Sequence, residues 1–136
     1  MRYEIKKLPK KFDQRGYLIE FLKNAELEKK EFGQNYFVTF NSVNQIRGNH
    51  YHTKKSEWFT IAFGKAEVKL KDINTNEEAS FILSDDEDNC LTRLFIGPNI
   101  AHSFKSLTNR AVLLNYTDCE YHPENPDTYF FDLDKK

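Results

Sequence analysis

Residues 47–64 read Arg47-Gly48-Asn49-His50-Tyr51-His52-Thr53-Lys54-Lys55-Ser56-Glu57-Trp58-Phe59-Thr60-Ile61-Ala62-Phe63-Gly64. Alternate side chains of an extended strand share a face, so His50 and His52 point one way and Tyr51 the other. From Glu57 alternation runs through Phe59, Ile61 and Phe63, setting a carboxylate at the end of an apolar stripe. Moving a carboxylate into an apolar interior costs several kcal/mol unless a charged or hydrogen-bonding group meets it. The two imidazoles, or a metal that they hold, are the groups at hand.

Outward from this stretch the chain reads as short strands between turns. Lys65–Lys71 alternates most cleanly, with Ala66, Val68 and Leu70 inward and Lys65, Glu67, Lys69 and Lys71 outward. Asn35–Asn41 sets Tyr36, Val38 and Phe40 on one side. Arg2–Leu8 reads as an opening strand, at an edge or donated to a neighbour, and Phe12–Phe21 as a turn that bends at Gly16 into a strand. Further strands are expected at Glu78–Leu83, Leu91–Ile96 and Ala111–Tyr116, the last apolar enough to be covered on both faces. Asp72–Asn76 has hairpin-loop composition, and the acidic run 84–89 reads as a solvated connection. Asn24–Phe32, rich in Ala, Glu, Leu and Lys and stopped by Gly33, predicts a helix of about two turns. Many short strands with one peripheral helix predict a sandwich or barrel.

The 136 residues are most simply one domain, 1–136. Twelve Phe and seven Tyr suit a β-rich core (12 Phe and 7 Tyr in the sequence). A net charge of −1 supplies no basic field, so neither nucleic acid nor anionic lipid is an expected partner. Cys90 and Cys119 make no disulfide framework and match no zinc spacing, so a reducing cytoplasm is the expected compartment. Residues 1–7 lack an apolar signal core and no run approaches membrane-spanning length.

Gly48, His50, His52, Glu57 and Gly64 resemble the first motif of the cupins, with Gly48 nearer the first histidine than is usual. Ile96-Gly97-Pro98-Asn99-Ile100-Ala101-His102 resembles the second motif, with Asn99 in place of a glycine. Asparagine also visits left-handed backbone conformations. Within the cupins the chain resembles the sugar-nucleotide epimerases and 3,4-ketoisomerases of deoxysugar biosynthesis, and the cupin domain of capsular-polysaccharide epimerases. The likeness runs from about Phe12 to Tyr129, on Asp13-Gln14-Arg15-Gly16, Arg47-Gly48-Asn49-His50, Ala101-His102-Ser103-Phe104, Tyr121-His122-Pro123-Glu124 and Pro126-Asp127-Thr128-Tyr129. It implies an all-β, double-stranded β-helix (cupin jelly roll) and a homodimer with an exchanged N-terminal strand.

The resemblance also implies a substrate, a nucleotide-linked 4-keto-6-deoxy sugar carried on dTDP or UDP. A base must remove a C–H proton beside the carbonyl, an acid must return one, and the enolate between them must be steadied. His50 resembles the epimerases' base, and His52 the second histidine of the ketoisomerases. Tyr36 resembles a ketoisomerase tyrosine and Tyr121 the epimerase acid. Arg15 and Arg47 match positions facing the substrate's anionic part, where guanidinium pairs bidentately with phosphate. Lys54 and Lys55 read as a solvated turn within reach of a diphosphate. Glu57 stands where the 3,5-epimerases carry a lysine and the ketoisomerases no glutamate, so the residues fix neither subgroup.

The favoured mechanism requires no cofactor. His50, His52, Glu57 and His102 also match the ligand set of metal-binding cupins, and three imidazoles with one carboxylate suit zinc, iron, manganese or nickel. An imidazole that ligates a metal has no lone pair for proton abstraction, so His50 serves one purpose or the other. Two further readings stay open: a metal-dependent cupin of another class, such as a small-molecule dioxygenase, and a non-catalytic sugar-binding cupin.

Overall fold

In the computed structural model, which describes residues 1–135, the alternating stretches pair into two five-stranded sheets. The strands are β1 (Tyr3–Pro9), β2 (Lys11–Asp13), β3 (Gly16–Leu18), β4 (Gln34–Phe40), β5 (Ile46–Tyr51) and β6 (Glu57–Phe63), then β7 (Lys65–Asp72), β8 (Glu78–Ser84), β9 (Cys90–Ile96), β10 (Ile100–Ser106), β11 (Ala111–Thr117) and β12 (Tyr129–Phe130). One sheet runs β1-β9-β6-β11-β4, the other β12-β5-β10-β7-β8, and β2 with β3 forms a separate hairpin. All pairings are antiparallel, and strands remote in sequence lie side by side. This is the double-stranded β-helix of a cupin jelly roll. β1 pairs along its whole length with β9 of its own chain, at a sheet edge. Among the described residues no helix is long and apolar enough to cross a membrane.

The core is what alternation predicts. Ala66, Val68 and Leu70 of β7 are fully buried and meet Phe59, Ile61, Leu94 and Ile96 from the facing sheet. Phe59 of one sheet and Phe104 of the other close it, with ring centroids 4.7 Å apart. Phe63 departs from the expected stripe and lies exposed. The β11–β6 register shifts between Val112 and Leu113, opposite Ile61 and Phe63, and such an irregularity turns the side chains beyond it.

The expected helix at Asn24–Phe32 is reduced to one 3-10 turn, Asn24–Glu26, which ends at an extended Leu27. Tertiary contacts override helix propensity here. Arg93, buried on the outer face of the β9 sheet, donates to the Glu26 carboxylate at 3.1 and 2.8 Å and to the Phe21 carbonyl at 2.7 Å. Leu27, Phe21 and Leu22 pack on a second apolar cluster of Trp58, Phe95 and Tyr116. The Gly33 N–H then donates to the Tyr116 hydroxyl. This strap covers the outer face of β11, as its apolar run requires.

Candidate active site

β5, β6 and β10 deliver their polar residues to one end of the space between the sheets. His102 of β10 lies opposite His50 of β5 in register, and Glu57 begins β6. Gly48 allows the close approach of β5 to β10. Its φ is +96°, and a Cβ there would stand 2.6 Å from the His102 carbonyl oxygen. His52 follows β5, and its carbonyl accepts from the Asn99 N–H at 2.7 Å. Asn99 sits at φ +63°, the left-handed turn expected of it.

Three imidazoles converge. Ring centroids are 4.9 Å apart for His50–His52 and His50–His102, and 5.5 Å for His52–His102. One nitrogen from each lies within 4.8 Å of the others. Main-chain carbonyls orient two of the rings: His52 Nδ1 donates to Asp127 O at 2.8 Å and His102 Nδ1 to Ile100 O at 3.0 Å. Their Nε2 atoms therefore turn to Glu57, at 3.4 Å from Oε1 and 3.3 Å from Oε2 respectively. Glu57 is buried, as are His52 and His102. Burial pushes the Glu57 carboxyl up, but His102 and His52 outweigh it and hold the group well below the usual carboxylate range.

The electrostatics are incomplete without a positive charge. With Nδ1–H fixed, a neutral His52 or His102 directs an Nε2 lone pair at a carboxylate. His52 Nε2 and Glu57 Oε2 have no hydrogen-bond partner. A proton on Nε2 resolves this, and so does a divalent cation among the donors. The donor set and its carbonyl-braced histidines fit such a cation. The His50 imidazole is pushed down to about 4 by burial and by His102 and His52, so it is neutral at physiological pH.

Tyr36 on β4 shares a face with Val38 and Phe40 and lies opposite Asn115 of β11. Burial, then the charge of Glu57, pushes its phenol well above the usual tyrosine range, which keeps the proton on it. Arg47 stacks its guanidinium over Phe40, 5.6 Å from the ring centroid, and donates Nε to Thr39 O at 3.1 Å. Among the described residues it makes no ion pair, which leaves its terminal nitrogens available. Tyr121 lies in the loop after β11, exposed, its N–H held by Gln34 Oε1 at 2.8 Å. Arg15 stands apart in the β2–β3 hairpin, with an exposed guanidinium paired to Asp13.

Three residues take places at the site that the sequence reading does not give them. Asn115 is fully buried on the inward face of β11, between Tyr36 and Phe59 in register, and neither atom of its amide meets a protein partner. Asp127, at φ +48°, accepts from the Thr53 and Lys54 N–H groups at 3.0 and 2.9 Å while its carbonyl orients His52. It thereby clamps the C-terminal segment over the His52 loop. Lys55 is buried rather than solvated. An acidic residue at a tight turn is a readable signal for Asp127; the other two carry none, because alternation places residues on faces but not their partners.

A family model for the polysaccharide biosynthesis C-terminal domain matches residues 11–129. The spore coat polysaccharide biosynthesis protein SpsL of Bacillus subtilis is 29% identical over 129 residues, covering 91% of this chain and 83% of that protein. The capsular polysaccharide assembling protein CapF of Staphylococcus aureus superposes with a TM-score of 0.69 at 26% identity, over 93% of this chain. This chain spans only about a third of CapF, 34% of its length. The 3,4-ketoisomerase QdtA of Thermoanaerobacterium thermosaccharolyticum, solved with TDP-4-keto-6-deoxyglucose, superposes with a TM-score of 0.76 at 21% identity, over 93% of this chain and 85% of that one.

Proposed function

Because the chain belongs to the polysaccharide biosynthesis C-terminal domain family, we propose that it is an isomerase of a nucleotide-linked 4-keto-6-deoxy sugar, acting by proton transfer through an enolate. The observation that carries this reading is the convergence of a half-buried His50 with two histidines braced by main-chain carbonyls at one end of the barrel. The reaction named for QdtA, a ketoisomerase with a keto sugar bound, supports the substrate class.

In this reading His50 takes the proton from the carbon beside the keto group, and that C–H electron pair forms the enolate C=C bond. Tyr36 or Tyr121 returns a proton to the opposite face of the same carbon for epimerisation; for 3,4-keto migration the proton goes to C4 instead, and His52 passes the C3 hydroxyl proton to the C4 oxygen so that the carbonyl closes at C3. Arg47 holds the diphosphate, and Arg15 reaches it only by a movement of its hairpin. Two copies of the chain form a homodimer in the cytoplasm.

His50, His52, His102 and Glu57 would hold a divalent cation. When bound, it would supply Lewis-acid polarisation of the sugar carbonyl. His50 would then have no lone pair to offer as a base. Elemental analysis of the purified protein, with His102→Asn as control, reads the occupancy directly.

The reaction is tested by NMR after incubation with dTDP- and UDP-4-keto-6-deoxyglucose in heavy water. Deuterium at C3 alone supports single epimerisation, deuterium at C3 and C5 supports double epimerisation, and a 3-keto product, with its solvent label at C4, supports keto migration. A sugar recovered unlabelled and unchanged overturns the reading.

A further inference from the structure

The C-terminal segment crosses the edge of the second sheet beside the histidines and is pinned on both sides of Phe130. Asp127 holds the Thr53 and Lys54 N–H groups through its carboxylate and His52 Nδ1 through its carbonyl. The Phe131 N–H donates to Asn49 O at 2.8 Å, and the Leu133 N–H to Asn49 Oδ1 at 3.0 Å. Tyr129 and Phe131 take one face of this segment and pack on Tyr51, with ring centroids 5.3 and 6.5 Å from it. Phe130, between them, takes the other face and is 79% exposed. In register it lies directly opposite His50. The bond from Phe131 to Asn49 makes those two a hydrogen-bonded pair, so Phe130 and His50 form the non-hydrogen-bonded pair beside it. Side chains of such a pair leave the sheet on the same face, with Cβ atoms about 4.5–5.5 Å apart.

A single exposed apolar residue calls for no explanation by itself. Phe130 differs in its place: its backbone is fixed, and its side chain leaves the sheet next to the imidazole read above as the base. A sugar carbon brought to His50 therefore comes up against this ring as well. The nucleobase is set apart from that carbon by the ribose and the diphosphate, so the group within reach of Phe130 is the sugar. A 4-keto-6-deoxy hexose carries its apolar surface at C5 and the 6-methyl group, next to the keto carbon. We propose that Phe130 is a substrate-binding residue whose ring packs against C5 and the 6-methyl group, and that it selects 6-deoxy sugars over sugars bearing a 6-hydroxyl. This rests on the substrate class read above and adds to it the group that recognises the sugar. A methyl packed on an aromatic ring takes apolar area out of water, whereas a hydroxymethyl there gives up water without gaining a hydrogen-bond partner.

The test is calorimetric binding of 6-deoxyglucose and glucose, each linked to dTDP and to UDP, none of which has a keto group to react. With the nucleotide it prefers, the parent is expected to bind the 6-deoxy sugar about tenfold more tightly than glucose. Phe130→Ser, which cuts back an exposed side chain and leaves the fold intact, should bring the two sugars within about twofold of each other. Its affinity for TDP or UDP alone should stay within about threefold of the parent, because the ring does not reach the nucleotide. Phe130→Tyr, which keeps the ring, should keep the preference. A parent that binds both sugars equally overturns the inference, and so does a Phe130→Ser protein that keeps the parental preference. A Phe130→Ser protein that loses affinity for the free nucleotide as much as for the sugar overturns it too, by assigning the ring to the nucleobase. A parent that binds no sugar nucleotide overturns the substrate reading, and this inference with it. A parent with the 6-deoxy preference that places no deuterium in the keto sugar overturns proton transfer alone and upholds the role of Phe130.

Discussion

His52 and His102 commit their Nδ1 protons to main-chain carbonyls, and that single fact organises the chemistry around them. Both Nε2 atoms face Glu57, while His50, without such a brace, keeps its lone pair for another partner. Asn115 is the opposite case, a buried amide that the protein leaves without a partner. Such groups cost stability and persist where function uses them. Asn115→Leu is therefore expected to raise stability by about 1 kcal/mol, read as a higher melting temperature, and to slow deuterium exchange. A fall in stability of more than about 1 kcal/mol would mean that the amide is satisfied in the folded protein. Alternation made His50 with His52, and Glu57 with Phe59 and Ile61, legible in the sequence, while their meeting across two sheets is set by the fold. Asn115 was not legible, since within the apolar run 111–116 it reads as a strand residue like its neighbours.

Strands were legible wherever alternation was clean, as in β7, and the left-handed turn at Asn99 followed from its residue type. The strap over the outer sheet was not, because its conformation is set by Arg93, a residue some seventy positions away in sequence, and by Trp58 and Tyr116. Two predictions belong at this scale. Gly48→Ala forces a side chain into a positive-φ position against the His102 carbonyl. It is expected to cost about 2 kcal/mol or more in denaturant unfolding, and a change below about 0.5 kcal/mol would contradict the packing of β5 on β10. The Glu26 carboxyl is held down to about 2, chiefly by its bonds to Arg93, against an ordinary value of 4.5. A depressed carboxyl stabilises fully above its unfolded pKa and loses that contribution as pH falls through the folded one. The parent should therefore lose about 2 kcal/mol between pH 4.5 and 2 that Glu26→Gln never had. Parallel stability–pH curves for the two proteins would contradict the role of the pair.

At the scale of the whole molecule, a jelly roll closes its core at one end and leaves polar strand termini at the other. Three histidines and a glutamate meet there although up to fifty-two residues separate them (His50 to His102). The β2–β3 hairpin, with Phe12 and Leu18 exposed, offers apolar surface for a second copy. Light scattering is expected to give twice the chain mass, and a monomer at micromolar concentration would contradict the dimer. The most direct test of the central claim is deuterium exchange into dTDP-4-keto-6-deoxyglucose by the parent and by His50→Asn. The account predicts label beside the keto carbon with the parent, and a loss of about 100-fold or more with His50→Asn at near-parental TDP affinity. Exchange by His50→Asn at the parental rate, or none by the parent, would contradict it.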